Sequence, residues 1–320
     1  AESNHWFGTS GGIAVVSRLE ETTWLTSFST ALPNDQVLDI FQSKSGMMWI
    51  GTFSGLAEGT PTLFQAFSDA DGLASNNVNS IVTRGVKEWW IGTDRGISVL
   101  VTDRDADSEW RVSQNKATLL DEYIIMSLAV EGDYVWAGTL RSGLFQIDTR
   151  NYETKRYTEQ RTTSNSLASN GITSILPHSE GTIYIGTFGG GLNVLDTKTD
   201  SFEQLKRVDN DPNSISDDRV ISLAADKSGR IWIGTLNGLN SLDPSTRSFT
   251  KYAFDSTDAT TISSPVVLSV VEDSLGNLWV GTRSGGLNLW RKTNRELDYP
   301  LFEQFDLGGV LPSSDIYGVL

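Results

Sequence analysis

One four-residue motif, in which an aromatic residue is followed by any residue, glycine and threonine, occurs seven times along this chain. The copies begin at Trp6, Trp49, Trp90, Trp136, Tyr184, Trp232 and Trp279. Successive copies start 43, 41, 46, 48, 48 and 47 residues apart. A repeat length in the forties with strand-like content is typical of β-propeller blades that have four strands each. The motif therefore predicts an all-β fold, a seven-bladed β-propeller of four-stranded antiparallel blades.

The sixth repeat shows how one blade is expected to form. It has four short apolar runs, at 220–225, 230–235, 239–243 and 249–252, separated by Gly, Pro, Asn and Asp residues. Because these runs alternate with turn residues and no window has helical periodicity, we expect an antiparallel meander. Glycine weakens a strand interior unless packing requires it. We expect the motif glycine to leave room for a tryptophan of the neighbouring blade.

The two ends of the chain are predicted to complete one blade together. The first repeat starts at its second strand, and residues 311–320 align with 32–40, which lead into the first strand of the second repeat. We expect the C-terminal strand to lie beside the Trp6 segment, which closes the ring and removes an exposed sheet edge. A single domain over 1–320 follows. Its blades are predicted at 1–28 with 315–320, 36–67, 77–112, 123–158, 171–208, 219–254 and 265–305.

The composition argues against several classes of function. The net charge is −15, with 40 acidic and 25 basic residues, so we expect no nucleic-acid partner. The absence of cysteine excludes disulfides, iron–sulfur clusters and thiolate catalysis. No apolar stretch approaches the roughly 18 residues of a membrane helix, so we expect no membrane span in this chain.

Few residues are candidates for catalysis or metal binding. His5 and His178 are the only histidines, and both precede second strands, on the side opposite to the candidate ligand site. We therefore predict no catalytic triad, no metal site and no cofactor. Asp226 and Asp273 stand in turns that lack the alternating acids of a calcium loop, and we interpret both as hairpin turns. A catalytic pair of carboxylates stays open, because separations in space cannot be read from the sequence.

The ten tryptophans raise the question of sugar binding. Six of them belong to the motif. Of the others, Trp24 and Trp110 fall on outer strands, Trp89 precedes a second strand and Trp290 falls on a third strand. Since aromatic residues favour half-buried strands, we expect these four to serve packing.

Three segments together carry a family resemblance. They are Ser-Asn-Asn-Val-Asn-Ser-Ile at 75–81, Asp-Ser-Leu-Gly-Asn-Leu-Trp-Val-Gly-Thr at 273–282 and Gly-Leu-Asn-Val-Leu-Asp at 191–196. The pattern resembles the two-component regulator propeller repeat over the whole chain. Ala137, Tyr184 and the segment 55–59, which lacks a terminal Asp, depart from it.

The resemblance implies a periplasmic input module of a bacterial membrane receptor. In that family, propellers precede an immunoglobulin-like coupling domain, one membrane helix and a histidine kinase or diguanylate cyclase output. None of these parts is recognised here, so we expect a fragment or a separate sensor piece, with dimerisation through the missing parental domains. The resemblance also implies that breakdown products of polysaccharides are sensed.

The turns between second and third strands are the predicted ligand site, because they vary between repeats and are expected on one face, around the central channel. Three arginines against one acid make these turns locally basic, which suits a carboxylate or sulfate group. Phenylalanines there could stack on a sugar ring. The predicted ligand-binding residues are Phe53, Asp94, Arg95, Arg141, Phe188, Asn237 and Arg283. Alternatively, the arginines pair with acids of the loops between blades, namely Asp121, Glu122, Asp217, Asp218 and Asp315.

The leading interpretation is a non-enzymatic, extracytoplasmic module that senses a small-molecule or oligosaccharide ligand, with an anionic ligand among the expectations. Two alternatives stay open. One is a propeller lyase or glycosidase that acts on polysaccharide. The other is a protein-interaction platform that binds a partner peptide on the channel side.

Overall fold

The computed structural model describes residues 4–17, 22–43, 46–60, 63–101, 111–113, 119–160, 162–179, 181–294, 301–305 and 315–319. Trp110 and the aligned segment 311–314 lie outside the described residues. Within the described ranges, 28 strands form seven sheets of four strands. The predicted seven-bladed β-propeller with four-stranded antiparallel blades is therefore confirmed.

The strands of each blade follow one another along the chain. Blade 1 contains β1 (His5–Thr9), β2 (Gly12–Val16) and β3 (Thr22–Leu25). Blade 2 contains β4 (Val37–Gln42), β5 (Met48–Thr52), β6 (Gly55–Thr60) and β7 (Leu63–Phe67). Blade 3 contains β8 (Val78–Arg84), β9 (Glu88–Thr93), β10 (Gly96–Val101) and β11 (Arg111–Val112). Blade 4 contains β12 (Ile125–Glu131), β13 (Tyr134–Thr139), β14 (Leu144–Asp148) and β15 (Thr154–Tyr157).

The second half of the chain repeats this order. Blade 5 contains β16 (Ile172–Ser179), β17 (Thr182–Thr187), β18 (Leu192–Asp196) and β19 (Ser201–Leu205). Blade 6 contains β20 (Val220–Ala225), β21 (Ile231–Thr235), β22 (Gly238–Asp243) and β23 (Ser248–Tyr252). Blade 7 contains β24 (Val267–Glu272), β25 (Leu278–Thr282), β26 (Leu287–Trp290) and β27 (Glu303–Phe305). Short 3₁₀ helices occur at Asp69–Asp71 and Lys292–Asn294.

The last strand, β28 (Ile316–Val319), joins the first blade. The order in that sheet is β28-β1-β2-β3. The C-terminal strand thus supplies the first strand of the N-terminal blade and covers the edge of β1, which confirms the closure predicted from the sequence.

The chain forms two compact units. Unit 1 consists of residues 1–140, 145–155 and 320, and unit 2 of residues 141–144 and 156–319. Unit 1 has buried clusters around Trp49 and Trp90, whereas unit 2 has one around Trp232 that includes Trp290 and Phe302. A single domain over 1–320, with the blade limits given above, stays a prediction.

The motif glycine is required by packing, but its predicted neighbour is wrong. A Cβ atom on Gly51 would lie 2.7 Å from Cγ1 of Val78, and one on Gly234 would lie 2.7 Å from Cγ1 of Val267. The residue that fills the space is therefore the β-branched residue that begins the next blade. The reason is the strand period of two: the motif Trp and Gly point to the same side, so the next blade's Trp points away from this glycine.

The tryptophans that the structure describes are buried or half-buried, as predicted. Trp49, Trp90, Trp136 and Trp232 are among the largest fully buried side chains; Trp89 and Trp290 are buried too, and Trp24 is half-buried. Trp89 lies within β9 rather than before the second strand.

Several motif indoles also have an acidic partner that the sequence analysis missed. The indole N–H groups of Trp232 and Trp279 donate to Asp226 and Asp273, each over 3.0 Å. The same two carboxylates accept N–H groups of their own hairpin turns. The bonds to the turn N–H groups agree with the interpretation of both segments as hairpin turns. Each acid also holds the indole of its motif tryptophan.

Candidate ligand-binding turns

The turn after each motif is tied by the motif threonine. In blade 2, the Thr52 hydroxyl donates to the carbonyl of Gly55 over 2.7 Å and accepts the N–H of Ser54 over 3.2 Å. Thr93 and Thr235 make the same pair of bonds in blades 3 and 6. These threonines are fully buried, so the two bonds also satisfy a buried hydroxyl. The threonine thus fixes the turn without any contribution from the variable residues.

The residue that follows the threonine is held by its main chain. Its N–H donates to the carbonyl of the residue just before the first strand of the same blade, in six blades. The donors and acceptors are Phe53 and Gln36 (3.2 Å), Asp94 and Asn77 (3.3 Å), Leu140 and Ile124 (3.0 Å), Phe188 and Gly171 (2.8 Å), Leu236 and Arg219 (3.2 Å), and Arg283 and Val266 (2.9 Å). Because the bond is made by the backbone, the side chain can differ in every blade while its position stays fixed.

In unit 1, the structure places three predicted residues on two of these turns. Phe53 is 47% exposed in blade 2, and Arg95 is exposed in blade 3. Asp94 is partly buried, and its Oδ1 atom has no hydrogen-bond partner within the described residues. Oδ1 of Asn77, whose carbonyl accepts the Asp94 N–H, is buried and likewise lacks a partner there. This turn therefore carries two buried acceptors without a donor among the described residues.

In unit 2, the other four predicted residues lie on equivalent turns. Arg141, Asn237 and Arg283 are exposed, and Phe188 is 54% exposed. The backbone of Phe188 also forms an isolated antiparallel β-bridge with the backbone of Arg219.

The Arg283 turn has a tyrosine and an acid beside it. Asp315 accepts the N–H of Ser284 over 2.7 Å, and the hydroxyl of Tyr317 lies 3.4 Å from the same carboxylate. Burial raises the pKa of Tyr317, as does Asp315, whereas Arg283 opposes the rise. Arg283 thus stands close enough to Tyr317 to influence its ionisation.

Three of the five acids in the loops between blades have partners other than these arginines. Asp217 forms an ion pair with Arg219 over 2.6 Å, Asp218 accepts the backbone N–H of Arg207, and Asp315 accepts that of Ser284. The Arg219 guanidinium lowers the pKa of Asp217, although burial opposes this. Across the described ranges, no ion pair is formed by Arg95, Arg141 or Arg283.

One predicted residue lines a cavity within unit 2. Asn237 borders a cavity of about 430 Å³ together with Arg207, Ser216 and Lys251. Lys251 donates to the carbonyl of Asp211 over 2.9 Å, which fixes the loop between blades on the other side of the cavity. The sequence analysis missed these partners, because it considered only the turns between second and third strands.

The loops that enter blades 5, 6 and 7 are held by one buried asparagine each. Asn193, Asn240 and Asn288 accept the N–H groups of Ala168 (2.9 Å), Ser216 (2.9 Å) and Ser263 (2.8 Å), respectively. These are the asparagines of the Gly-Leu-Asn pattern, and all three are fully buried. In blade 3 the equivalent residue is Ser98, whose hydroxyl accepts the N–H of Ala74 over 2.7 Å. The asparagine or serine at this position therefore holds the loop that enters the blade, next to the candidate turns.

Two searches for other kinds of site give no candidate. No group of three or more His, Cys, Asp or Glu residues that could hold a metal ion occurs in the ranges that the structure describes. In those same ranges, no helix has the length and apolar character needed to cross a membrane.

Seven four-stranded meanders built from one recurring sequence pattern define a β-propeller repeat protein. Residues 31–54, 166–189, 214–237 and 261–284 each match the family described as two component regulator propeller. Four segments of the chain thus match this family's model, as the resemblance in its sequence indicated.

Solved structures with the same fold come from different kinds of protein. The extracellular domain of a putative hybrid two component system from B. thetaiotaomicron has a TM-score of 0.68 at 22% identity, over 88% of this chain and 36% of that one. Virginiamycin B lyase from Staphylococcus aureus has a TM-score of 0.57 at 12% identity, over 83% and 84%. The computationally designed Ika8 protein has a TM-score of 0.57 at 12% identity, over 89% and 79%. At these identities the likeness shows the fold alone, and no curated protein matches the sequence.

Proposed function

We propose that this chain is a non-enzymatic module that senses a ligand outside the cytoplasm, in the periplasm, for a bacterial signal-transduction receptor. The family of its repeats supports this role. The likeness to an extracellular domain of a putative hybrid two component system agrees with it. The chain spans about a third of that extracellular domain, so the receptor and its output belong to the proposal.

The observation that carries the proposal is the set of arginines on rigid turns. Arg95 in unit 1 and Arg141 and Arg283 in unit 2 are exposed and form no ion pair with the described residues. A guanidinium group binds carboxylate or sulfate oxygens through two parallel hydrogen bonds. Because the turn backbone is already fixed, the conformational entropy that the protein loses on binding is confined to the side chains. These features favour an acidic oligosaccharide or another small anion.

Further groups on the same turns suit a hydroxylated ligand. The exposed rings of Phe53 and Phe188 offer apolar faces for a sugar ring. In unit 2, the cavity beside Asn237 adds an amide, the Ser216 hydroxyl and two cations.

Titration calorimetry with three probes tests the proposal. The probes are a uronic-acid oligosaccharide, a sulfated oligosaccharide and a neutral oligosaccharide of equal length. We expect Arg95→Ala, Arg141→Ala or Arg283→Ala to weaken binding of an acidic probe by roughly tenfold or more, the loss expected for a charge-assisted hydrogen bond. Arg247→Ala is the matched control, because Arg247 pairs with Glu203 over 2.8 Å on a turn between third and fourth strands.

The result that overturns the proposal is equal affinity of all variants for every probe. An arginine-to-lysine replacement at the sensitive position separates charge from the two-bond geometry. Incubation of the protein with each probe, followed by detection of new reducing ends, tests the lyase or glycosidase alternative. We expect no turnover.

A further inference from the structure

The backbone of Arg219 contacts two of the candidate turns in unit 2. Its carbonyl accepts the N–H of Leu236, on the turn that carries Asn237, over 3.2 Å. It also forms the antiparallel β-bridge with Phe188. Of the six residues whose carbonyls hold a candidate turn in this way, only Arg219 is charged. Blade 6 therefore places a guanidinium group next to the turns of Phe188 and Asn237.

The side chains of Phe188 and Arg219 lie next to each other. Residues directly opposite in an antiparallel pair point to the same face, with Cβ atoms about 4.5–5.5 Å apart. The N–H of Gly189 donates to the carbonyl of Asp218 over 3.0 Å, which fixes the register of this bridge. Phe188 is 54% exposed, and the side chain of Arg219 is 47% exposed. An apolar ring and a guanidinium group therefore reach solvent side by side.

A buried carboxylate fixes the orientation of the guanidinium group. Asp217 accepts the Nε–H of Arg219 at Oδ1 over 2.8 Å and an Nη2–H at Oδ2 over 2.6 Å. Oδ1 also accepts the backbone N–H of Arg219 over 2.8 Å, and Asp217 is only 6% exposed. Two of the five guanidinium N–H groups are used in this way, and the other three have no partner among the residues that the structure describes. One edge of the guanidinium group is thus held, and the other edge is available to a ligand.

The charge at this position differs from that of the arginines in the predicted set. Asp217 offsets the positive charge of Arg219, whereas those three arginines form no ion pair within the described ranges. A ligand carboxylate on the available edge would lie close to the Asp217 carboxylate, and like charges repel each other. Neutral hydroxyl oxygens accept the same N–H groups without that repulsion. The local chemistry therefore favours an uncharged, hydroxylated group.

We propose that Arg219, oriented by Asp217, forms with Phe188 a subsite in unit 2 for a neutral sugar ring. The inference rests on the proposed function, because it names the ligand class of one part of the same site. The available edge of the guanidinium group donates to adjacent hydroxyl oxygens of the sugar, and the Phe188 ring packs on its apolar face. Arg219 thus selects an uncharged ring, whereas Arg141 and Arg283 favour anionic groups.

Blade 4 contains the same kind of ion pair away from the candidate turns. Arg150 donates its Nε–H and an Nη2–H to Asp148, two residues earlier, over 2.9 and 2.6 Å. This pair lies at the turn between the third and fourth strands of its blade. It provides a matched control for the loss of an ion pair as such.

Titration calorimetry with a uronic-acid oligosaccharide and its fully methyl-esterified form tests the subsite. Esterification removes the negative charges and leaves the ring hydroxyl groups unchanged. The variant Asp217→Ser/Arg219→Val gives blade 6 the residues of blade 7, where Ser264 accepts the N–H of Val266 over 3.3 Å, so the turn should still form. We expect this variant to bind the ester roughly tenfold more weakly than the wild type does, the loss expected for hydrogen bonds from a charged donor.

Two further variants accompany this experiment. Asp148→Ser/Arg150→Val, the control, should bind both probes as the wild type does. Phe188→Ala changes an exposed ring and leaves the ion pair intact, so it tests the subsite even if the double variant of blade 6 does not fold. We expect Phe188→Ala to weaken the binding of both probes by a similar factor, because stacking on the ring does not depend on charge.

The variant Asp217→Asn tests why an uncharged ring is preferred. It keeps an acceptor for the Arg219 N–H groups but removes the negative charge. We expect the affinity for the acidic probe to rise several-fold relative to the ester, and to rise less at high salt. An unchanged ratio of the two affinities would contradict the role assigned to Asp217.

The outcomes separate this inference from the proposed function. Wild-type affinity for the ester in both Phe188→Ala and Asp217→Ser/Arg219→Val would overturn the subsite, and weaker binding of the acidic probe by Arg141→Ala or Arg283→Ala would still support the proposed function. Loss of ester binding in the variants of the subsite, with no effect of the other arginines, would support the subsite and remove the anion site. If the wild type binds neither probe, both proposals fail.

Discussion

The loops that enter the blades are secured in different ways in the two compact units. In unit 2, blades 5, 6 and 7 each use a buried asparagine, such as Asn240, whose side chain accepts a loop N–H. In unit 1, the equivalent residue is Ala14 in blade 1, Ala57 in blade 2 and Ser98 in blade 3. A methyl group cannot accept a hydrogen bond, so of these three residues only Ser98 holds its loop in this way.

This difference shows that forming the four-stranded sheet and holding the entering loop are separate roles of the repeat. Complete four-stranded blades form in both units, so the asparagine is not needed to build a blade. It fixes the loop beside the candidate turns. Three of the four segments that match the family lie in unit 2, where each blade has this asparagine. Segments that match the family model therefore occur mainly in blades whose entering loop is held by an asparagine. They are not found in every blade that forms a four-stranded sheet.

The largest expected effect is that of Asn240→Ala. It removes the acceptor of the Ser216 N–H and a donor to the Ser216 hydroxyl, and Asn240 itself is fully buried. We expect the free energy of unfolding to fall by about 2 to 3 kcal/mol, because buried polar groups lose their partners. Urea denaturation measures the loss. Asn240→Ser, which imitates blade 3, should restore part of it, and a loss below that of Ser98→Ala would break the comparison.

A smaller loss is expected for Ser98→Ala in unit 1. Only the bond from the Ala74 N–H, of 2.7 Å, is removed. We expect a loss of about 1 kcal/mol in the free energy of unfolding, with faster hydrogen exchange confined to the loop 73–77. Ser98→Asn sharpens the test by giving blade 3 the residue of unit 2. Exchange that accelerates throughout blade 3 instead of in the loop would mean that Ser98 supports the sheet.

The smallest effect concerns the acid side of the pH profile. Burial raises the pKa of Asp273, but bonds from Asn277, from the Trp279 indole and from turn N–H groups outweigh it, so the pKa is lowered. Its contribution is present above about pH 4 and is lost as the pH falls further. Asp273→Asn should therefore flatten the melting temperature between pH 3 and 5. The exposed control Asp121→Asn should not, and equal slopes for both variants would refute the assignment.

The fold was predictable because its signals are local. The spacing of the motif fixed the number of blades, and the likeness of 311–320 to 32–40 indicated which strand joins β1. The neighbour of the motif glycine was not predictable in this way. It depends on which side of the sheet faces the next blade. Trp49 and Gly51 point to that side, and this is known only from the folded structure.

The candidate site was predictable in part. The variable residues after each threonine could be identified because the residues around them repeat. The cavity beside Asn237 could not, since Arg207 and Lys251 come from a loop and an outer strand that meet only in the folded unit. The partners of Asp217 and Asp218 were also out of reach, because charge alone does not tell which of several nearby cations or N–H groups an acid selects.

The hydroxyl of the motif threonine has a consequence for how such modules can diversify. Because Thr52 and its counterparts close their turns through main-chain partners, the side chains at the tips are not needed to close the turns. The turn residues can therefore be exchanged between blades, or varied in a mutant library, with little loss of folding stability. In such a propeller, ligand specificity can change through the turn residues while the strands of the blades stay the same.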